Sequence, residues 1–274
     1  MSDPTAHPPQ RHLNPAGFRR QLRELPAFRA LLRAVEADFY TDLPMPGPVL
    51  DLGCGDGHFA SVAFRQILDV GLDPWAAPLQ EARQRSRYKL LTRGSGASLP
   101  FSDAAFATVV SNSVLEHIED VEPVIAEVAR VLKPGGRFYF CVPGPNFRRF
   151  LSVARALDRL GLRRWAESYR RLFDRISRHR YYDTPQAWGE RLARSGLQLD
   201  RWWTYFSPRA LAALEWGHPL GLPCMLVKRL TGRWLLMPAR WNLALTEALL
   251  RPLYAESLPA EGAYLFFVAS QPLS

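Results

Sequence analysis

Apolar and polar residues alternate along this chain in two rhythms, and the changes between them divide it into segments. From Phe18 to Tyr40, apolar side chains recur at Leu22, Leu25, Phe28, Leu31, Leu32, Val35 and Phe39. That is the spacing of one helical face, interrupted at Pro26. From residue 49 onward, short apolar runs alternate with helical patterns. Val49–Leu52, Leu68–Leu72, Leu90–Arg93, Phe106–Ser111 and Arg137–Val142 read as strands. His58–Ile67, Pro78–Arg87 and Pro123–Leu132 read as helices between them. This alternation predicts an α/β fold with a doubly wound, mostly parallel sheet. After Pro143 the rhythm stops. Phe150, Val153, Ala154, Leu157 and Leu160 share one helical face, and Trp165, Tyr169, Leu172, Phe173 and Ile176 share another, with Gly161 between them. The α/β pattern resumes with a helix over Thr184–Ser195 and strands at Leu197–Phe206 and Tyr264–Ala269. A second interruption contains Trp216, Trp234 and Trp241.

These changes predict a disordered leader over 1–16, carrying Pro4, Pro8, Pro9 and Pro15, and an N-terminal helical segment over 17–43. A doubly wound, cofactor-binding core follows over 44–146, then a basic helical insertion over 147–182 and the core continued over 183–207. An apolar, tryptophan-bearing insertion spans 208–260, and 261–274 is the final strand and tail.

Composition narrows the class. With 274 residues, 47% of them hydrophobic, the chain can bury a full core. The first residues hold no apolar stretch of signal-peptide type. The most apolar later window, 216–250, is broken by Lys228, Arg229, Arg233, Arg240 and Glu247, which argues against a spanning helix. Three cysteines, Cys54, Cys141 and Cys224, lack any paired spacing. Neither a disulfide framework nor a metal site is therefore expected, and a cytoplasmic protein is. The net charge is +9, and most of it sits between Arg148 and Arg180, where eleven arginines face three acids. Three readings of those helices stand: a cap over the active site with outward arginines, a contact with an anionic membrane surface, and nucleic-acid binding. The cap asks least of the sequence and nucleic acid has least support. Peripheral membrane contact through 147–182 and 208–260 is compatible with the cap. Oligomeric state is not legible.

The candidate chemistry lies in Val49-Leu50-Asp51-Leu52-Gly53-Cys54-Gly55-Asp56-Gly57. Glycines let a chain turn tightly against a ligand, and the next helix offers unpaired N–H groups. A dinucleotide fingerprint would place its third glycine at position 58, which is His58. Asp51 before the turn would repel a pyrophosphate but suits an ammonium group. Asp73, closing the second strand, can accept hydrogen bonds from two ribose hydroxyls. Asn112 is expected to line the cofactor pocket, and Cys54 to act as a small filler.

Val49–Phe59 resembles motif I of class I S-adenosylmethionine-dependent methyltransferases, and Val70-Gly71-Leu72-Asp73 resembles their acidic motif II. Gly94–Phe101, Phe106–His117 and Val131-Leu132-Lys133-Pro134-Gly135-Gly136 are similar to further segments of the methyltransferase type 11 group, in the expected order. The resemblance covers about 100 residues and departs from the group at Ser95 and Ala107, where aspartates are usual.

It implies a Rossmann-like, seven-stranded sheet with its last strand antiparallel and mainly helical lid insertions. It also implies S-adenosyl-L-methionine as cofactor, with S-adenosyl-L-homocysteine as product. The expected cofactor residues are Asp51, Gly53, Cys54, Gly55, Gly57, Asp73, Pro74, Trp75, Ser95, Gly96 and Asn112. Pro74 or Trp75 would pack on the adenine, with Ser95 and Gly96 flanking it. The resemblance places Glu116 and His117 near the methyl group, as candidates for an acid or base. The sequence Ser111-Asn112-Ser113-Val114 lacks the pattern associated with methylation of nucleic-acid bases, which favours a small-molecule acceptor. The apolar insertions favour a bulky or amphipathic one, such as a lipid, a lipid-linked glycan or a secondary metabolite. The alternatives are a non-catalytic protein that binds the cofactor or a partner, and a nicotinamide-dependent oxidoreductase.

Overall fold

A computed structural model describes residues 11–235 and 239–273. The chain opens with two helices, α1 (Pro15–Glu24) and α2 (Ala27–Phe39), separated at Pro26. Seven strands follow: β1 (Val49–Leu52), β2 (Leu68–Asp73), β3 (Tyr88–Arg93), β4 (Phe106–Asn112), β5 (Leu132–Pro143), β6 (Gln198–Tyr205) and β7 (Tyr264–Ser270). They form one sheet in the order β3-β2-β1-β4-β5-β7-β6, in which β7 runs antiparallel to both of its neighbours. The seven-stranded sheet with its antiparallel last strand is the fold expected.

Period-two alternation sorts the strand residues onto two faces. Phe138, Phe140, Leu265, Phe267 and Ala269 pack with Trp188 and Leu192 of α9 (Pro185–Arg194) and with Val124, Ile125 and Val128 of α5 (Glu122–Val131). Tyr139, Cys141, Tyr264, Phe266 and Val268 face the other way, onto α1, α2 and the insertions. Two further core helices, α3 (His58–Ala63) and α4 (Ala76–Arg85), follow β1 and β2.

The N-terminal helices do more than form a lid. Phe39 of α2 meets the rings of Trp203, Tyr205 and Phe266 edge-on, so α2 lies directly on the sheet and supplies a missing layer. The leader reading needs a matching correction. Its residues 1–10 lie outside the described residues, but 11–16 are tied down. Arg11 pairs with buried Asp38, and the Asn14 backbone N–H donates to the Tyr254 hydroxyl at 2.7 Å before α1 begins at Pro15.

The helix read over His58–Ile67 ends at Ala63. Phe64 leaves helical geometry, with φ of −109° and ψ of 133°, and the Arg87 guanidinium donates to the carbonyls of Phe64 and Gln66 at 2.6 and 2.8 Å.

The first insertion forms α6 (Asn146–Phe150), α7 (Ser152–Arg159) and α8 (Arg163–Ser177). The second forms α10 (Pro208–Gly217), α11 (Gly221–Thr231) and α12 (Arg240–Tyr254). Their arginines are not all turned outward. Arg148 bridges Glu167 and Asp174, and Arg170 pairs with Asp158, which clasps α7 to α8. Trp165, Leu172 and Ile176 of α8 instead remain exposed, as do Trp216, Leu226, Leu230, Trp241, Leu245 and Leu249 of the second insertion.

Candidate active site

The glycine turn has the backbone its sequence demands. Gly53, Gly55 and Gly57 have φ of +78°, +54° and +69°, the left-handed region that costs other residues strain. The space above Gly55 is open, so its missing side chain leaves backbone accessible to a ligand. Asp73 ties three loops together. Its two carboxylate oxygens accept from the backbone N–H groups of Gly55 and Trp75, at 3.0 and 2.9 Å, and its carbonyl accepts from Gly94.

Asp51 is buried at 5% exposure, with one oxygen 2.7 Å from the donating Tyr88 hydroxyl. Burial pushes its carboxyl up to about 7; the Tyr88 hydrogen bond opposes that rise and the Asp73 charge adds to it. The Tyr88 ring reaches Asp51 by lying against Gly71, where a Cβ would sit 2.9 Å from the ring. Tyr88 carried no signal in the sequence, because a tyrosine opening a strand reads as ordinary strand composition.

The other expected cofactor residues fall as follows. Trp75 is 70% exposed at the end of β2, beside exposed Pro74, and its indole face is uncovered. Gly96 packs beside Leu52 and Val124, next to exposed Ser95, whose hydroxyl accepts from the Ala97 backbone. Cys54 is buried, and burial raises its thiol pKa, which keeps it a neutral filler.

Asn112 is different. Its amide donates to Glu36 at 2.7 Å and its carbonyl oxygen accepts from the Cys141 thiol at 3.2 Å. Both ends of the side chain are spent under α2, so Asn112 positions Glu36 instead of presenting its amide to the cofactor pocket.

Glu36 is the centre of a buried polar cluster. It is fully buried and accepts from Arg33 at 2.7 Å, Asn112 at 2.7 Å, Ser113 at 3.0 Å and the Tyr205 hydroxyl at 2.9 Å. The cluster joins α2 to β4 and β6. Its one sequence signal was a pair of charges, Arg33 and Glu36, three residues apart on a helix that is otherwise largely buried.

Glu116 and His117 form a 3-10 turn after β4. Glu116 is 1% exposed; one of its oxygens has no hydrogen-bond partner, and burial lifts its carboxyl to about 8. His117 Nδ1 lies 3.1 Å from the Arg178 carbonyl, which fixes the tautomer: Nδ1 carries the proton and donates, and Nε2 keeps its lone pair. Burial lowers the His117 pKa, so the ring stays neutral at neutral pH. Its ring lies 5.6 Å from that of His179.

The Tyr181–Tyr182 pair anchors the insertion. Tyr181 donates to the Glu119 carbonyl and Tyr182 to Asp174, each at 2.6 Å.

This fold and site define a class I methyltransferase domain, a glycine turn between two acidic strand ends beneath helical insertions. Residues 50–140 match the family model described as a methyltransferase domain, and that stretch is a methyltransferase domain of the type 11 family. A malonyl-[acyl-carrier protein] O-methyltransferase of Xylella fastidiosa is 34% identical over 121 residues, 42% of this chain and 41% of that protein. A 2-phytyl-1,4-naphtoquinone methyltransferase of Thermosynechococcus vestitus is 34% identical over 105 residues, 36% of this chain and 47% of that one. The chain thus spans less than half the length of these relatives. Geranyl diphosphate C-methyltransferase from Streptomyces coelicolor shares the fold, with a TM-score of 0.52 at 16% identity over 89% of this chain and 83% of that one.

Proposed function

We propose that this protein transfers the methyl group of S-adenosylmethionine to a small amphipathic acceptor held beneath the two insertions. The observation that carries the reading is the pair of acidic strand ends around the open glycine turn. Asp51 offers a carboxylate where an ammonium group fits, and Asp73 is held by Gly55 and Trp75 with lone pairs to spare for ribose hydroxyls. Arg33, over the ring of Phe59 at the start of α3, is placed to meet the methionine carboxylate. Trp75 and Gly96 would hold the adenine.

The cofactor supplies an activated, electrophilic methyl group, so the protein's part is alignment, exclusion of water and removal of one proton. His117 suits the last task. Its fixed tautomer presents the Nε2 lone pair, and its lowered pKa keeps that lone pair free at neutral pH. Glu116, kept protonated at neutral pH by burial, adds no competing charge.

An amphipathic acceptor is supported by the exposed Trp165, Leu172, Ile176, Trp216 and Trp241, which stand among arginines and suit the surface of an anionic bilayer. A relative named for 2-phytyl-1,4-naphtoquinone points the same way. No helix among the described residues is long and apolar enough to cross a membrane.

The test is incubation with methyl-labelled cofactor and a total lipid extract. Label should enter the organic phase and fall at least about tenfold in His117→Gln. Cofactor binding with no label in any lipid or aqueous fraction would instead mark a binding protein. In parallel, the protein should sediment with phosphatidylglycerol vesicles and not with phosphatidylcholine vesicles.

A further inference from the structure

The turn that carries His117 is held from outside. Within it, the backbone N–H groups of His117 and Ile118 reach back to the carbonyls of Val114 and Leu115, at 3.0 and 3.2 Å. Three further groups of residues 116–119 are taken by one short stretch, residues 178–181, which leaves the end of α8. The Arg180 backbone N–H donates to the Glu116 carbonyl at 2.8 Å, and the Tyr181 hydroxyl donates to the Glu119 carbonyl at 2.6 Å. The Arg178 carbonyl accepts from His117 Nδ1 at 3.1 Å. Residues 178–181 are a strap laid across the turn.

The strap is anchored on the core of the sheet. The Tyr181 ring meets the Trp188 ring edge-on at 6.3 Å, and the Arg191 guanidinium lies over it, 4.9 Å from the ring centre. Trp188 is itself fully buried against Phe140 and Phe267. At the other end, Arg178 closes α8 with φ of +57°, a left-handed conformation that strains a residue other than glycine. The strained residue is the one whose carbonyl meets His117.

That carbonyl decides what His117 can do. A neutral imidazole free in water carries its proton mostly on Nε2, and such a ring has no lone pair there to act as a base. The hydrogen bond made by one ring nitrogen selects the tautomer. Among the described residues, the Arg178 carbonyl is the one partner of His117 Nδ1. His117 Nε2 stands 3.9 Å from Glu116 Oε1, beyond hydrogen-bond range. The other charges acting on the ring, Arg33 and Arg29 of α2 and the Arg178 side chain, are cations and accept nothing.

We infer that the strap belongs to the catalytic apparatus: the Arg178 carbonyl selects the base-competent tautomer of His117, and Tyr181 is the positioning residue that holds the carbonyl in place. The inference rests on the methyl-transfer reading, in which His117 takes the acceptor's proton. On taking it at Nε2 the ring becomes an imidazolium, and its Nδ1–H bond to the Arg178 carbonyl becomes charge-assisted and stronger. The first insertion thus does more than cover the site, because its last residues set the state of the base.

Nitrogen NMR of the whole chain with isotope-labelled histidine tests this, at a mildly alkaline pH where burial keeps His117 neutral. His117→Gln identifies the His117 signals by their loss. Wild type should hold the proton on Nδ1. Tyr181→Phe keeps the ring on Trp188 and loses the hydroxyl, and should lower the ratio of Nδ1–H to Nε2–H about threefold to tenfold. Arg178→Gly keeps the carbonyl and adopts a positive φ more readily, so it should match wild type. Arg178→Pro cannot reach that φ and should hold the proton mostly on Nε2. His218, whose Nδ1 lies 3.0 Å from the Leu214 carbonyl, should keep its own signal in every variant and so reports an intact fold.

A wild-type His117 with its proton mostly on Nε2, or a Tyr181→Phe ratio equal to that of wild type, would overturn the inference. A shift in Arg178→Gly would also overturn it, by assigning the effect to the arginine side chain. If Arg178→Pro loses the His218 signal it has unfolded, and Tyr181→Phe decides. Absence of methyl transfer by a wild type that holds the proton on Nδ1 would count against the methyl-transfer reading alone, because the tautomer is read without cofactor or acceptor.

Discussion

Replacing Glu36 with alanine should loosen the contact between α2 and the sheet more than any other single polar change. The wild-type carboxylate is fully buried and accepts from Arg33, Asn112, Ser113 and Tyr205. Its removal leaves a cation and three donors without an acceptor. Breaking a buried ion pair on one side costs about 3–5 kcal/mol, and each stranded donor about 1–3 kcal/mol. These costs do not add, because Arg33 keeps 19% exposure and water can enter the space vacated. A loss of about 5 kcal/mol is the expectation. For a chain of this size that corresponds to a fall in Tm of about 10 °C. Glu36→Gln loses the charge and turns one accepting oxygen into an N–H donor but keeps the other, so its loss should be about half as large. Urea denaturation followed by circular dichroism, with linear extrapolation, reads both values. A loss below about 1 kcal/mol in Glu36→Ala, with an unchanged slope, would refute the hub and the arrangement of α2 on the sheet.

Other perturbations separate the parts of the site. Gly53→Ala places a Cβ 2.5 Å from a Val114 methyl in a left-handed conformation, and Gly55→Ala meets only open space and strain. Gly53→Ala should therefore lower Tm well beyond Gly55→Ala, which should instead weaken cofactor binding. Asp51 must be ionised to meet an ammonium group, and its pKa stands near 7. S-adenosylhomocysteine affinity should accordingly fall about tenfold per pH unit below 7, and Tyr88→Phe should move that profile to higher pH. Glu116 is raised from its ordinary value to about 8, so the fold disfavours its charged form. The stability tied to its protonation is complete below about pH 4.5 and is lost as pH rises through 8. Glu116→Gln should remove roughly 4 kcal/mol of that decline between pH 5 and 8, measured as the difference between urea curves of variant and wild type.

The sheet was legible because β strands and core helices announce themselves by period. Phe138, Phe140 and their alternating partners Tyr139 and Cys141 sort onto two faces as the pattern requires. The glycine turn was legible for a similar reason: three alternating glycines imply a backbone few other residues adopt. The contacts of Tyr88 and Glu36 were not legible, because each depends on elements distant in sequence. Glu36 meets Tyr205 from the far end of the chain, and Tyr88 reaches Asp51 across Gly71. Asn112 shows the limit most plainly. Its place at the end of β4 suggested a ligand contact, but Glu36, 76 residues away, claims its amide.

The central claim is that Asp51, Asp73 and the glycine turn hold S-adenosylmethionine, and calorimetry with S-adenosylhomocysteine tests it directly. The account predicts one molecule bound per chain, with affinity reduced at least about tenfold in both Asp73→Ala and Asp73→Asn. Circular dichroism of Asp73→Asn should remain that of wild type, since the amide oxygen can still accept from a backbone N–H. Stabilisation by NAD with no heat from S-adenosylhomocysteine, or undiminished binding in both variants, would contradict it.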